Sequence, residues 1–388
     1  MHSIVSITVP PWIRKGHAKG TRERFRRRTR TTGRFRRPHG LRAHSSGAPI
    51  RYALAPVWVA GASPAASVHE TFRGRSDAME RPGFGAGLAC ALRRHSGNIL
   101  LSDMNKSIPD GGGRGARSTL DLRFHRSGPL TVLHHRHAGD LRTLASHYPE
   151  EGGVCHQVIV HPPGGYVGGD ILTLRVDVAE AAHALVTTPG ASRIYRSLGD
   201  VTSQTVDARI ASGGRLEWLP LETIAYCGCL AENRARFQLA PGAELIAWDM
   251  LALGLPAAGR PFSAGRYTQH LEVPDIWLER GRIDASDGIL LRGAGGLAGR
   301  TACATLFFVS GSPLAPQRRD ALLEAARSRC DRHSDVAAAA TSMHAQVVAV
   351  RALGARIEPV CAMLRSIWAA WRGAAWSLAP CSPRLWET

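Results

Sequence analysis

From Ser118 onward the chain reads as short alternating segments, and this two-residue period limits the fold more than any other feature. In ILTLRVDV, Leu172, Leu174, Val176 and Val178 fall on one face, with Thr173, Arg175 and Asp177 on the other, the pattern of a half-buried strand. Comparable runs recur in HALVTT, RLEWLPLETIAY, ELIAWDMLALGL, YTQHLEV, IWLERGRI and ATLFFVS, broken by Gly, Pro, Asp or Asn roughly every ten to fifteen residues. The expected fold is mostly β: a multi-stranded body of antiparallel or mixed sheets with a few C-terminal helices. The sequence contains no βαβ alternation, which argues against a nucleotide-binding parallel sheet. No internal repeat is visible. After Pro316 the period becomes helical, with Leu322, Leu323, Ala326 and Cys330 on one stripe of QRRDALLEAARSRC. A second helix is expected from His344 to Leu353. A third is expected in PVCAMLRSIWAAWR, where Val360, Leu364, Ile367, Trp368 and Trp371 form a face suited to packing on the sheet.

The charge is uneven. Of 49 Lys+Arg and 31 Asp+Glu in 388 residues, 19 basic and 5 acidic residues lie in residues 1–103, so the net +18 belongs mostly to that segment. It contains RERFRRRTRTTGRFRRP (Arg22 to Pro38) and apolar pieces that settle into no regular period. Two readings stay open for residues 1–103. One is a disordered basic arm that binds nucleic acid or an acidic surface by counterion release. The other is a non-native extension, translated from upstream of a natural start at Met104, with residues 104–388 as the functional domain. The chain as a whole is 44% hydrophobic, and at 388 residues it is long enough to bury a real core. No secretory h-region and no run approaching a membrane span occurs, so the expected location is cytoplasmic.

Residue chemistry narrows the function. The sequence has no G-x-S-x-G, no H-E-x-x-H and no Walker-type phosphate loop, so a catalytic role is poorly supported. Eight scattered cysteines form no disulfide framework, and Cys227-Gly-Cys229 lacks the spacing of a redox or zinc motif. His135 and His137, in HHRH, share a strand face and are the best metal ligands by composition, either for nickel or zinc or as solvent-facing side chains. A metal-dependent hydrolase built on them is the weakest of the functions considered. Three carboxylates stand out: Asp170 after the Gly-rich bend HPPGGYVGGD, Glu222 inside an apolar run, and Asp249 in AWDML. Ionised groups in such surroundings need partners, for which Arg193 and Arg196 are the nearby candidates. They either staple strands together or line a polar passage for a divalent cation.

Four segments occur in order: HPPGGYVGGD (His161 to Asp170), TTPGASRIYRS (Thr187 to Ser197), LEWLPLETIAY (Leu216 to Tyr226) and AWDMLALGLPAAGRPFSAG (Ala247 to Gly265). With GGLAG (Gly295 to Gly299) and the terminal PRLWET, they resemble the urease accessory protein family UreD, also called UreH. The resemblance covers roughly residues 118 to 388. It implies a mostly β, non-catalytic cytoplasmic scaffold that docks on the urease apoprotein and works with UreF and the GTPase UreG to deliver nickel. It also implies no tightly bound cofactor and only transient Ni²⁺. Carried over by position, the motifs supply Asp170, Thr188, Arg193, Tyr195, Arg196, Glu222, Asp249 and Gly254. Two departures are visible: Leu221 and then Cys227 stand where the family usually has Gln and an acidic residue, and Leu255 where it commonly has Arg. The first removes a polar group from any ion-lined passage. Nucleic-acid binding through the Arg-rich arm is the alternative function.

Overall fold

The computed structural model describes residues 115–387. The basic segment 1–103 lies outside the described residues, as does the start of the 104–388 unit up to Arg114. The strands in chain order are β1 (Arg117–Ser127), β2 (Leu130–Ala138), β3 (Arg142–Thr143), β4 (Cys155–Val160), β5 (Ile171–Val178), β6 (His183–Thr187) and β7 (Ser192–Ile194). They continue as β8 (Thr202–Ile210), β9 (Arg215–Leu219), β10 (Thr223–Ala225), β11 (Cys229–Leu239), β12 (Glu244–Leu253), β13 (Gly265–Val273) and β14 (Trp277–Asp284). The short helix α1 (Gly288–Arg292) follows, then β15 (Ala302–Ser310), α2 (Pro316–Cys330), β16 (Val336–His344), β17 (Val347–Gly354) and α3 (Ile357–Trp376).

These strands form two sheets. One has the order β14-β13-β11-β8-β5-β1-β2, and the other runs β16-β17-β15-β12-β9-β6-β4-β3 with β10 and β7 attached beside β12. From β4 to β13 the main strands alternate between sheets, so each circuit adds one strand to each, in parallel register such as Leu174↔Val206 and Leu185↔Glu217. The arrangement is β-solenoid-like. Parallel pairing normally needs a crossover of a dozen residues or more, and here a strand of the opposite sheet supplies it in place of a helix. The structural repetition therefore exists without a repeated sequence, because each circuit needs only alternation and a turn. Antiparallel hairpins close the ends, as in β1–β2, β13–β14 and β16–β17.

Alternation decides which core each residue joins. Leu120, Leu122 and Phe124 of β1 lie beside Leu174, Val176 and Val178 of β5 and face the second sheet, forming the inter-sheet core with Val206, Ala235, Leu245 and Phe307. The opposite face of the second sheet, including Leu185, Ile246, Trp248, Leu306 and Phe308, packs on α2 and α3 through Leu322, Leu364, Ile367, Trp368 and Trp371. Residues of β12 alternate between the cores: Leu245 and Ala247 join the first, Ile246 and Trp248 the second. Helices α2 and α3 occupy the expected segments.

The expected helix at His344 to Leu353 is instead the turn and strand of the β16–β17 hairpin. Strand β17 is buried on both faces, with Val347, Ala349 and Leu353 in one core and Val348, Val350 and Ala352 in the other. A continuous apolar run of this kind carries no period that separates strand from helix. Even VAAAATSMH, rich in the best helix former, becomes β16, because pairing with β17 outweighs intrinsic propensity.

Candidate functional site

A polar seam crosses the otherwise apolar space between the sheets. Asp249 on β12 points to the inter-sheet face, as its neighbours Ala247 and Leu251 do. Asn233 of β11 donates from Nδ2 to Asp249 Oδ1 at 2.8 Å, and Gln269 of β13 donates to Oδ2. Beyond them lies a half-buried triad in which Thr305 donates to Glu279 at 2.6 Å and Arg351 pairs with Glu279 at 2.6 Å. Burial, reinforced by the charge of Glu279, pushes the Asp249 carboxyl up to about 6 against the opposing effect of its two amide donors. The same burial and the adjacent Asp249 push the Tyr267 hydroxyl well above its ordinary value. Asp249 is therefore a carboxyl that gains or loses its proton close to neutrality, held by neutral groups.

A cavity of about 50 Å³ joins this seam to one end of the body. Gln204, Asn233 and Asp249 line its inner part, and Tyr166, Thr188, Ser192, Leu221 and Thr223 line the end formed by loops. Those loops are three of the sequence motifs. Tyr166 of the first bridges Ile194 of the second through Tyr166 N to Arg193 O (2.7 Å) and Tyr195 N to Tyr166 O (2.9 Å). Strands β7 and β10 join the second to the third, and Thr188 Oγ1 accepts from Leu221 N at 2.9 Å. The Tyr195 ring stands edge-on to Tyr226 at 5.1 Å.

Asp170 has a local role here. Its carboxylate accepts from Ala116 N at 2.8 Å and Val167 N at 2.9 Å, tying the bend to the start of β1. Gly169, at φ 92°, makes the turn, and Gly254, at φ 67°, makes the corresponding turn after β12. A side chain on Gly254 would stand 2.5 Å from Phe262 N. Glu222 is half-buried, and its carbonyl accepts from Ser192 N at 2.9 Å. The expected cationic partners lie elsewhere: Arg193 and Arg196 are exposed, and the Arg196 stem packs over Gly228. Burial of the Asp170 and Asp249 carboxylates is compensated by backbone and amide donors, which cost less to desolvate than a guanidinium. Leu221 does line the cavity, and Thr188, Ser192 and Thr223 supply the polar atoms around it.

His135 and His137 share a face, with ring centroids 6.1 Å apart, on the exposed edge strand β2. Paired in register with Leu122 and Leu120, they lie on the inter-sheet side of β2 and are exposed because this end of the edge strand is uncovered; His134 and His135 line an open groove with Asp121, Arg123 and Asp177. Trp218 and Trp248 belong to the cores. Asn233, Gln269, Glu279 and Arg351 had not been singled out from the sequence. Their signal is parity: each is a polar residue at an inward position of its strand.

A second polar group lies between the second sheet and α3. Glu217 of β9, fully buried, accepts from His183 at 2.8 Å and from the Trp368 indole at 2.5 Å, with Arg372 at 3.3 Å. Burial would raise its carboxyl, but the His183 hydrogen bond, the charges of His183 and Arg372, and the Trp368 donor together hold it below the ordinary range. The terminal segment docks nearby, with Trp386 Nε1 donating to Thr187 Oγ1 at 3.0 Å and Arg365 lying 4.8 Å over the Trp386 ring. Among the described residues no helix is long and apolar enough to cross a membrane.

Stacked β circuits, a helical flank and a narrow, mainly apolar cleft that carries a few polar side chains and is closed by glycine-rich loops define a β-solenoid-like protein whose distinctive residues lie inside the fold and in its end loops. The chain belongs to the UreD family of urease accessory proteins: residues 116–387 match the family described as UreD urease accessory protein. It is 55% identical over 268 residues to urease accessory protein UreD of Paracidovorax citrulli (strain AAC00-1), covering 69% of this chain and 97% of that protein. It is 52% identical over 270 residues to urease accessory protein UreD of Variovorax paradoxus (strain S110), covering 69% and 98%. With urease accessory protein UreD of Leptothrix cholodnii (strain ATCC 51168 / LMG 8142 / SP-6) it shares 53% identity over 270 residues, covering 69% and 97%.

Proposed function

We propose that this protein is a non-catalytic scaffold for urease maturation, which docks on the urease apoprotein together with UreF and UreG and passes Ni²⁺ toward the urease active site. Its place in the UreD family supports the role in urease maturation. The observation that carries the nickel step is the cleft between the sheets, reaching from the motif loops to Asp249. Nickel held by many strong ligands would not leave, so a relay needs sparse oxygen donors. Asp249, Asn233, Gln204 and the hydroxyls of Thr188, Ser192 and Thr223 form such a set. A space of about 50 Å³ has room for a water or two, so an ion crossing it exchanges part of its hydration shell for these oxygens. On this reading Asp170 and Glu222 hold the loops at the entrance, and Arg193, Tyr195 and Arg196 present the surface of those loops. The location is cytoplasmic, and Ni²⁺ is cargo and not a resident cofactor.

The test is urease activation in a strain lacking its own UreD. Residues 104–388 alone should restore activity, and Asp249→Leu should cut nickel incorporation at least about tenfold while urease still co-purifies with the variant. Full nickel incorporation with Asp249→Leu would remove the cleft from the pathway. Failure of the wild-type chain to restore activity would remove the proposal as a whole.

A further inference from the structure

We infer that Glu150, His156 and Cys381 form a site for one borderline divalent transition-metal ion that clamps the C-terminal tail to the body. This inference is separate from the cleft and goes beyond the maturation role. The three side chains come from two distant parts of the sequence: Glu150 and His156, six residues apart at and just before β4, and Cys381 in the tail after α3. A carboxylate oxygen, an imidazole nitrogen and the Cys381 Sγ all lie within 4.8 Å of one another, and they are the group of this kind found among the described residues. A tetrahedral ion with bonds of about 2.0–2.3 Å needs ligand atoms roughly 3.3–3.7 Å apart, so closure takes shifts of about an ångström or less.

The surroundings orient the ligands as a metal site requires. Arg372, fully buried, donates to Glu150 Oε2 at 2.6 Å and leaves Oε1 directed at His156 Nε2, also 2.6 Å away. The same guanidinium donates to the carbonyl of Ala379 at 2.9 Å, fixing the tail two residues before Cys381. Trp386 anchors it on the other side. When the ion binds, the imidazole presents Nε2 as its neutral Nδ1–H tautomer and the Cys381 thiol releases its proton to solvent. The carboxylates of Glu150 and Glu217 and the Cys381 thiolate leave an excess of negative charge around Arg372 and His183, which a divalent ion offsets. One thiolate, one imidazole and one carboxylate suit Zn²⁺, Co²⁺ or Ni²⁺ and disfavour Mg²⁺ or Ca²⁺. Cys381 and Glu150 are only partly buried, which leaves the fourth position open to water.

Titration of the full chain with Co²⁺ should show one equivalent bound with a thiolate-to-cobalt charge-transfer band. The band should vanish in Cys381→Ser and persist in Cys227→Ser, and His156→Gln should weaken binding at least about tenfold. In the wild-type protein, one equivalent of Zn²⁺ should protect Cys381 from alkylation, read by peptide mass spectrometry. This arm needs no variant to fold. A band that survives in Cys381→Ser, or Cys381 alkylation at an unchanged rate with Zn²⁺ present, would overturn the site. Binding lost in His135→Ala/His137→Ala and kept in Cys381→Ser would assign the ion to β2 instead.

Discussion

Asp249 shows how one side chain can set both stability and chemistry. Its folded pKa of about 6 lies above the unfolded value of 3.8, so the folded state holds its proton to higher pH. The favourable contribution is complete below 3.8 and is lost as pH rises through about 6, a change on the order of 3 kcal/mol. Asp249→Asn removes the ionisation while preserving shape. We expect the variant to be more stable than wild type by about 1–3 kcal/mol at pH 7.5, with the difference disappearing near pH 4, as measured by urea unfolding at the two pH values. A wild-type protein that keeps this carboxyl at such a cost points to a use for it. Asp170 behaves differently, since two backbone donors depend on it. Asp170→Ala leaves both donors without their acceptor and should cost about 1–3 kcal/mol, with faster hydrogen exchange confined to residues 115–117 and 166–170.

At the level of elements, α3 is fastened to the second sheet by more than apolar contact. Glu217 receives His183 from β6 and both Trp368 and Arg372 from α3 in a site closed to solvent. Its carboxyl is held low, so this stabilisation is present above the unfolded pKa and is lost as pH falls through the folded one. Glu217 and Asp249 thus tilt the pH profile in opposite directions. Glu217→Gln should destabilise the fold by about 3 kcal/mol at pH 7, because it leaves buried cationic donors without their charge partner. Equilibrium unfolding at pH 7 measures this, and a cost below about 1 kcal/mol would mean that Glu150 alone satisfies Arg372. The tail depends on packing in the same layer. Trp386→Ala removes a buried indole stacked against Trp248 and Trp368 and should cost about 3–5 kcal/mol.

For the molecule as a whole, successive circuits bury each other's inner faces, and no circuit has a core of its own. Stability then comes from neighbour contacts along the stack, as in other solenoid-like folds. The helical layer covers one side of the second sheet, which explains why that sheet's strands are apolar on both faces while β1, β5 and β11 alternate. Loops meet at one end because the parallel strands of the second sheet finish there and those of the first sheet begin there, bringing motifs from residues 161–170, 187–197 and 216–226 into one surface. In a parallel stack, sequence motifs about thirty residues apart become neighbours by construction.

Strand periodicity, the two terminal helices and the four ordered motifs were legible from the residues, because alternation and helical stripes are local consequences of which face is buried. The same locality explains the failures. Residues 344–353 are wrapped by two cores and keep no periodic trace, and the circuit-by-circuit repetition needs no repeated letters. Partner choice for buried charges was equally out of reach: Asp249 meets Asn233 and Gln269, and Glu217 meets Arg372, only because strands and a helix far apart in sequence are stacked in register. Sequence alone determined what each segment prefers to bury. The tertiary structure decided which buried polar groups face one another, because that depends on sheet order and register, and no local preference encodes either.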